Sequence, residues 1–240
     1  MAARTQPAPS VWTRKQPESD QPALSRDAIV REAIAMLDTD GIEALSMRKL
    51  GARLNAGATS LYRHVATKDE LMEVAVDEVF GEIAVPAAGD GSNWRSAATE
   101  AAGSFRATAL RHPWLASVLG QAGLAYLGPN LMSFSERLAA LFAAAGFPEP
   151  SRAIDALLSY VIGMSTTEAA WLTTVARSGS TEADFTASLM PAAQRAAADH
   201  DHLAVAYATD VPDPVALRDA KFTYGLDVVL DGLSFRLPTP

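Results

Sequence analysis

Between Ser46 and Lys68 the chain places Arg48, Lys49, Arg53, Arg63 and Lys68 and not one carboxylate, in a protein with 28 acidic against 20 basic side chains and a formal net charge of -8. Thr59, Ser60, Tyr62 and His64 are interleaved with those cations. Such a surface suits a polyanion: Lys and Arg neutralise phosphates, hydroxyls donate to phosphate oxygens, and a few side chains read base edges in the major groove. Thr59 and Ser60 are short enough to reach phosphate or base edges, with the Thr59 methyl matching a thymine methyl, and the Arg63 fork fits guanine O6 and N7. Tyr62, His64 and Lys68 suit phosphate contacts, and Arg48 suits backbone or base. Any one of these on a short helix is ordinarily a solvated surface group; the reading rests on the set.

Other chemistry is thin. Asp199-His200-Asp201-His202 has metal-binding residue types, but neighbours two apart on a helix point to different sides, and a solvated polar turn is the simpler reading. There is no cysteine, which removes disulfides, thiolate metal sites and thiol nucleophiles. No nucleophile elbow, P-loop or dinucleotide glycine pattern occurs. The sequence therefore predicts no catalytic residue, no cofactor and no metal. Long apolar runs and a basic start followed by an apolar core are also missing, so no membrane association is expected and cytoplasmic residence is the default. Two rivals stay in view: an enzyme with its site among scattered carboxylates, and a helical small-molecule-binding protein whose N-terminal domain holds an acidic protein. A partner of the second kind lacks the steep salt dependence of phosphate contacts.

The elements that must position the basic residues read as helices. Met47, Leu50 and Leu54 form one apolar stripe behind Ser46, a natural N-cap, and Asn55-Ala56-Gly57 makes a tight turn before a second short helix anchored by Leu61 and Val65. Ahead of them the spacing predicts a helix from about Arg26 to Asp40, capped by Ser25, ended by Gly41 in a left-handed conformation, and apolar at Ile29, Val30, Ala33, Met36 and Leu37. Together these make a three-helix unit containing a helix-turn-helix, whose last helix enters the major groove while the one before it crosses the backbone. Thr67-Lys68-Asp69-Glu70 reads as a capping box opening a fourth helix to about Ile83, the expected lever to the rest of the chain. Residues 1–24 hold four prolines and little periodicity, so a disordered tail is expected, with Trp12, Arg14 and Lys15 able to reach the minor groove although an inert tail is simpler. Domains are therefore expected at 25–84 and 93–237, separated by VPAAGDGSN at 85–93. The charge changes across the join: residues 1–72 carry ten basic against nine acidic side chains, and residues 73–240 ten against nineteen.

The second part is helical throughout, so the chain is all-α, with helices expected at 94–111, 113–119, 129–145, 151–177, 182–207 interrupted near Pro191, and 213–236. Aromatic and methionine residues scattered through it, Phe105, Trp114, Tyr126, Phe134, Phe142, Tyr160, Met164 and Trp171, with Gln121, Asn130, Thr167 and Glu168 as polar groups, suit an apolar ligand cavity, although most aromatics in a helical domain are simply core. Gly120 to Pro129, with three glycines, could gate it. Leu157, Leu158 and Val161 form one wide stripe and Leu226, Val229, Leu230 and Leu233 another; each serves either the chain's own core or a contact with a second copy.

The run LSMRKLGARLNAGATSLYRHVATKDEL, preceded by DTDGIEA, resembles the N-terminal DNA-binding domain of TetR-family transcriptional repressors. RHPW at 111–114, GPN at 128–130 and FTYGLDVVLDGL near the end resemble the ligand-binding domain of the tetracycline-repressor class. Asn55 stands where that family usually has glycine, and Asn tolerates the turn. The resemblance implies DNA contacts from Ser46, Arg48, Thr59, Ser60, Tyr62, Arg63, His64 and Lys68. It implies a homodimer built on a four-helix bundle of the two striped helices, a palindromic double-stranded operator, and repression relieved by a small, largely apolar effector.

Overall fold

A computed structural model of the protein describes residues 24–119, 128–207 and 213–238. The regular elements among them are α1 (Arg26–Asp40), a 3-10 turn (Ile42–Ala44), α2 (Met47–Arg53), α3 (Ala58–Leu61), α4 (Lys68–Phe80), α5 (Trp94–Arg111), α6 (Pro113–Leu119), α7 (Pro129–Ala144), α8 (Pro150–Ser178), α9 (Glu182–Ala197), α10 (Asp201–Tyr207) and α11 (Pro214–Ser234). The anticipated tail at 1–24 lies outside the described residues except for Leu24, as does most of the proposed gate, with Gln121 and Tyr126.

Local sequence sets the starts of α1, α2 and α4. Ser25, Ser46 and Thr67 sit in extended backbone, and their hydroxyls accept from the N–H groups of Ala28, Lys49 and Glu70. Glu70 returns its carboxylate to the Ala66 N–H at 2.6 Å, one residue before the position of a standard capping box. Gly41 has positive φ, but φ 79 with ψ 175 is not the left-handed helical terminator the sequence predicts. Its extended ψ sends the chain directly into the 3-10 turn.

Inside the N-terminal unit the α1 stripe meets Leu45, Met47, Leu50, Leu61 and Val65, all buried, while Leu54 is only half-buried. Asn55 takes the turn at φ 52. Gly51 is the tighter constraint: a Cβ there would lie 2.6 Å from the Ala56 carbonyl oxygen, so α2 and the turn approach as closely as they do because residue 51 has no side chain.

One continuous core then runs from α1 through α4 into the larger part. α4 packs on α1 at one end and on α7 at the other. Its last residue, Phe80, joins an aromatic cluster with Phe105 of α5 and Phe134 of α7, with ring centroids 5.5–6.3 Å apart in edge-on or tilted geometry. α4 ends there rather than at Ile83, because Gly81 and Glu82 turn the chain back over the helix end. The stretch that follows is fastened: the Ala84 N–H donates to Ser104 Oγ, Val85 is buried, and Gly91 sits where any Cβ would meet the Ala144 carbonyl. α8 is the axis of the larger part, with α5, α6, α7 and α11 packed along it.

Near Pro191 the structure corrects the sequence reading. α9 continues through Pro191, whose exposure leaves water free to satisfy the carbonyl one turn earlier, and the break falls at residues 198–200 before α10.

Candidate nucleic-acid interface and ligand cavity

The two short helices present their polar residues outward from the buried Leu50, Leu61 and Val65. Arg48, Lys49, Thr59, Tyr62, Arg63 and Lys68 are exposed, and Ser46, Ser60 and His64 are half-buried. Among the described residues Arg48, Lys49, Arg63 and Lys68 form no ion pair, whereas Arg53 is tied back to Glu32 at 2.7 Å and to Asp40 at 3.6 Å. Arg53 therefore braces α2 against α1, and four unpaired cations remain at the surface. The Ser46 hydroxyl already accepts from the Lys49 N–H and keeps its proton to donate to an external group. α3 is a single turn: Arg63 and His64 lie beyond its end, in turns whose N–H groups bond Ser60 and Leu61 carbonyls. The recognition segment is thus shorter than a continuous helix through residue 65, but the same face carries all its polar groups.

The proposed ligand residues separate into three groups. Phe105 and Phe134 are fully packed in the aromatic cluster, and Tyr160 donates to the Phe222 carbonyl at 2.8 Å, fastening α8 to α11. Tyr160 lies against Gly225, where a Cβ would fall 2.4 Å from its hydroxyl. Trp114 is buried at the join with the N-terminal unit. Met164, Thr167 and Trp171 do line a common cavity of about 300 Å³, bounded by α8, α9 and α11 and completed by Glu168, Glu182, Thr186, Pro214, Leu217, Arg218 and Lys221. Aromatic residue type could not separate packed from cavity-lining positions; the cavity depends on how α9 lies across α8 and α11.

One wall of that cavity is a buried ionic network. Glu168, 6% exposed, receives both Arg106 nitrogens at 2.7 Å and Arg218 Nε at 2.9 Å; Arg218 also pairs with Glu182, and Arg106 with Asp219 at 2.8 Å. Burial pushes the Glu168 carboxyl up, but Arg106 and Arg218 together outweigh it and hold it below its ordinary value. The Trp171 indole N–H donates to the other oxygen of Glu182. Helices α5, α8, α9 and α11 thus meet in a single charge-assisted cluster. Its guanidinium partners stand 50 or more residues away in sequence, so no local pattern announced it.

A second cluster joins the two parts of the chain. Asp38, near the end of α1, accepts from His112 Nδ1 at 2.8 Å and from the Trp114 indole at 2.7 Å. Glu82, beyond α4, faces His112 Nε2 at 3.2 Å and Arg111 at 2.7 Å. The RHPW motif is therefore a clasp on α1 and on the chain beyond α4, and its Pro113 and Trp114 also line a second, open groove bounded by the end of α1 and by α8, apart from the cavity that Met164, Thr167 and Trp171 share.

The stripes assigned to a dimer surface are corrected by burial. Leu157, Val161, Leu226, Leu230 and Leu233 are between 0% and 9% exposed within one chain, beyond reach of a second copy, and Leu158 and Val229 are half-buried. Large apolar side chains left outward are Val215, Leu217, Tyr224 and Val228 on α11 and Phe235 just beyond its end, at 50%, 47%, 75%, 54% and 87% exposure. The same 3.6-residue period fits both faces of the helix, so sequence alone did not separate the residues packed in the chain's own core from those left outward.

Comparison with known proteins places these features in a lineage. The family described as bacterial regulatory proteins, tetR family, matches residues 29–75, and the tetracyclin repressor-like C-terminal domain matches residues 85–237. An HTH-type transcriptional regulator of Saccharopolyspora erythraea is 42% identical over 165 residues, covering 68% of this chain and 69% of that protein. The HTH-type transcriptional repressor DrrR1 of Streptomyces coeruleorubidus is 32% identical over 223 residues, 92% of this chain and 81% of its own length. Among solved structures, the Streptomyces coelicolor TetR family protein ActR in complex with actinorhodin superposes with a TM-score of 0.70 at 29% identity, covering 88% of this chain and 97% of that one.

Proposed function

The chain belongs to the TetR family of transcriptional regulators, and from that premise we propose that it is a homodimeric repressor that binds a palindromic operator and is released by a small, largely apolar effector. The observation that carries the reading is the face formed by Arg48, Lys49, Thr59, Tyr62, Arg63 and Lys68: exposed, cationic and unpaired on a rigid three-helix unit of an acidic chain. One short recognition segment spans few base pairs, so two copies on a two-fold axis reading an inverted repeat supply the missing affinity and specificity.

The outer face of α11 around Tyr224, Val228 and Phe235, with the small exposed residues Ala156, Ser159 and Gly163 of α8 beside it, is the surface for that second copy. Effector control then follows from linkage. A ligand that binds better to a dimer with its recognition segments at the wrong spacing shifts the population away from the operator-competent form. Moving from 99% to 1% competent takes about 5.5 kcal/mol, a total that two cavities share. DrrR1's description as a repressor and the actinorhodin complex of ActR support the sense of regulation and the presence of a ligand.

Selection of bound sequences from a random duplex pool by the purified protein tests the proposal. Enrichment of an inverted repeat bound by two chains is the expected result; no enrichment at low salt overturns it.

A further inference from the structure

We infer that the cavity between α8, α9 and α11 takes an aromatic acid, with the ring against Trp171, Met164 and Leu217 and the anionic group on Lys221; this rests on the effector reading above. The walls fix the first half. Trp171 lies across from Leu217 and Pro214, and the space of about 300 Å³ is at the lower end of the range for small-molecule sites, room for two or three fused rings. Trp171 is held in place by its bond to Glu182 and by T-shaped contact with Phe185 at 5.3 Å, so it forms a fixed aromatic wall of the cavity.

The inventory of polar groups fixes the second half. The cavity contains two carboxylates and two cations, but they are not equally available. Both Glu168 oxygens are occupied by Arg106 and Arg218, and both Glu182 oxygens by Trp171 and Arg218. Every one of these oxygens already has a guanidinium or indole donor, so neither carboxylate is left as an unpaired anion for an amine, and Arg218 is already shared between the two. Lys221 is different: it is exposed at the mouth and forms no ion pair among the described residues. Thr167 spends its proton on the Gly163 carbonyl, leaving lone pairs, and Thr186 has no hydrogen bond from its hydroxyl among the described residues. What the cavity offers a ligand is an ammonium, a hydroxyl and apolar walls, which suits a carboxylate or ionised phenol on an aromatic frame and disfavours a cationic amine.

Binding of 9-anthracenecarboxylate and of neutral 9-anthracenemethanol to the full chain, each followed by its own fluorescence, tests this. The acid is expected to bind roughly five- to tenfold more tightly than the alcohol. Lys221→Met should remove that preference, Lys221→Arg should keep it, and Thr186→Trp, which fills the cavity, should weaken both probes. Equal affinity for the two probes, or a preference that survives Lys221→Met, overturns the inference. The same titrations with the selected operator present separate the two proposals. Lys221-dependent binding with the duplex retained supports the acid site and counts against its role as effector site; absence of any selected operator counts against the regulator reading while leaving the probe result to stand.

Discussion

Arg63 and Lys68 both sit unpaired on the exposed face of the N-terminal unit, yet they differ in what they can do. A guanidinium reading a base edge carries sequence information, whereas an ammonium on a phosphate carries none. Arg63→Ala is expected to cost about 1–3 kcal/mol of operator affinity and to relax discrimination at one base pair. Lys68→Ala should weaken all duplexes alike and reduce the salt slope by about one unit. Binding of matched and singly mismatched duplexes across a salt series checks the division, and equal loss of specificity from both variants refutes it. Glu168 makes a different prediction. Its carboxyl is held below its ordinary value of 4.5, so the ionised form contributes stability that is fully present above that value and lost as pH falls through the lowered one. Glu168→Gln should therefore lower stability at neutral pH by about 3 kcal/mol, leaving two guanidiniums underpaired, and should show a shallower decline on acidification than the parent in urea titrations from pH 7 to pH 3. The basic surface was legible because its cations cluster within 23 residues. The Glu168 network was not, because Arg106, Glu168 and Arg218 meet only after α5, α8 and α11 have packed.

In the function proposed above, α4 is the element that would tie reading to sensing. It begins beside the recognition segment, packs on α1, and ends with Phe80 among Phe105 and Phe134 of the larger part. Asp77 adds a polar contact: its carboxylate accepts from the Leu131 N–H at the start of α7, so a tilt of α4 pulls on that helix directly. The Asp38–His112–Trp114 clasp holds the other side. Asp38→Ala leaves two buried donors without their acceptor and is expected to cost about 2 kcal/mol of stability. It should also loosen the N-terminal unit, seen as faster amide exchange in α1 and α2 with exchange in α8 unchanged; uniform protection across the chain would show that the clasp does not couple the parts. A covalent crosslink between α4 and α7 that leaves both operator binding and release by effector intact would show that α4 is not the lever. Helix positions were legible from apolar period and from Ser25, Ser46 and Thr67 at helix starts, and α5 and α6 were placed to the residue. The α4 end and the α9 break were not, because each is decided by what packs against the chain: Gly81 on Asn130, and solvent around Pro191.

At the scale of the whole molecule, charge and symmetry work together. The protein's net negative charge resides in the larger part, with ten basic against nineteen acidic side chains, and the cationic face is confined to the N-terminal unit, which keeps non-specific association with nucleic acid weak and directs contact to one surface. Two such faces on one axis explain how a single-turn recognition element could achieve operator specificity. Val228→Asp places a charge at the centre of the α11 outer face, exposed in a single chain, and should give a folded monomer by sedimentation with operator affinity reduced by well over tenfold. A dimer that persists in this variant would move the interface elsewhere. The fold class and the order of helices could be read along the chain; which face of α8 and α11 looks inward could not, since both faces carry apolar residues and only the placement of α5 and α9 decides between them.

The most direct test of the account is the affinity of the intact protein for its selected duplex and for a scrambled duplex as salt is raised. With three or four unpaired cations from each of two chains on phosphates, log affinity for the selected duplex is expected to fall against log salt with a slope of about -5 to -7, and the selected duplex should remain preferred over the scrambled one throughout. A slope near zero, or equal affinity for both duplexes at every salt concentration, would contradict the assignment of Arg48, Lys49, Arg63 and Lys68 to a DNA-reading face.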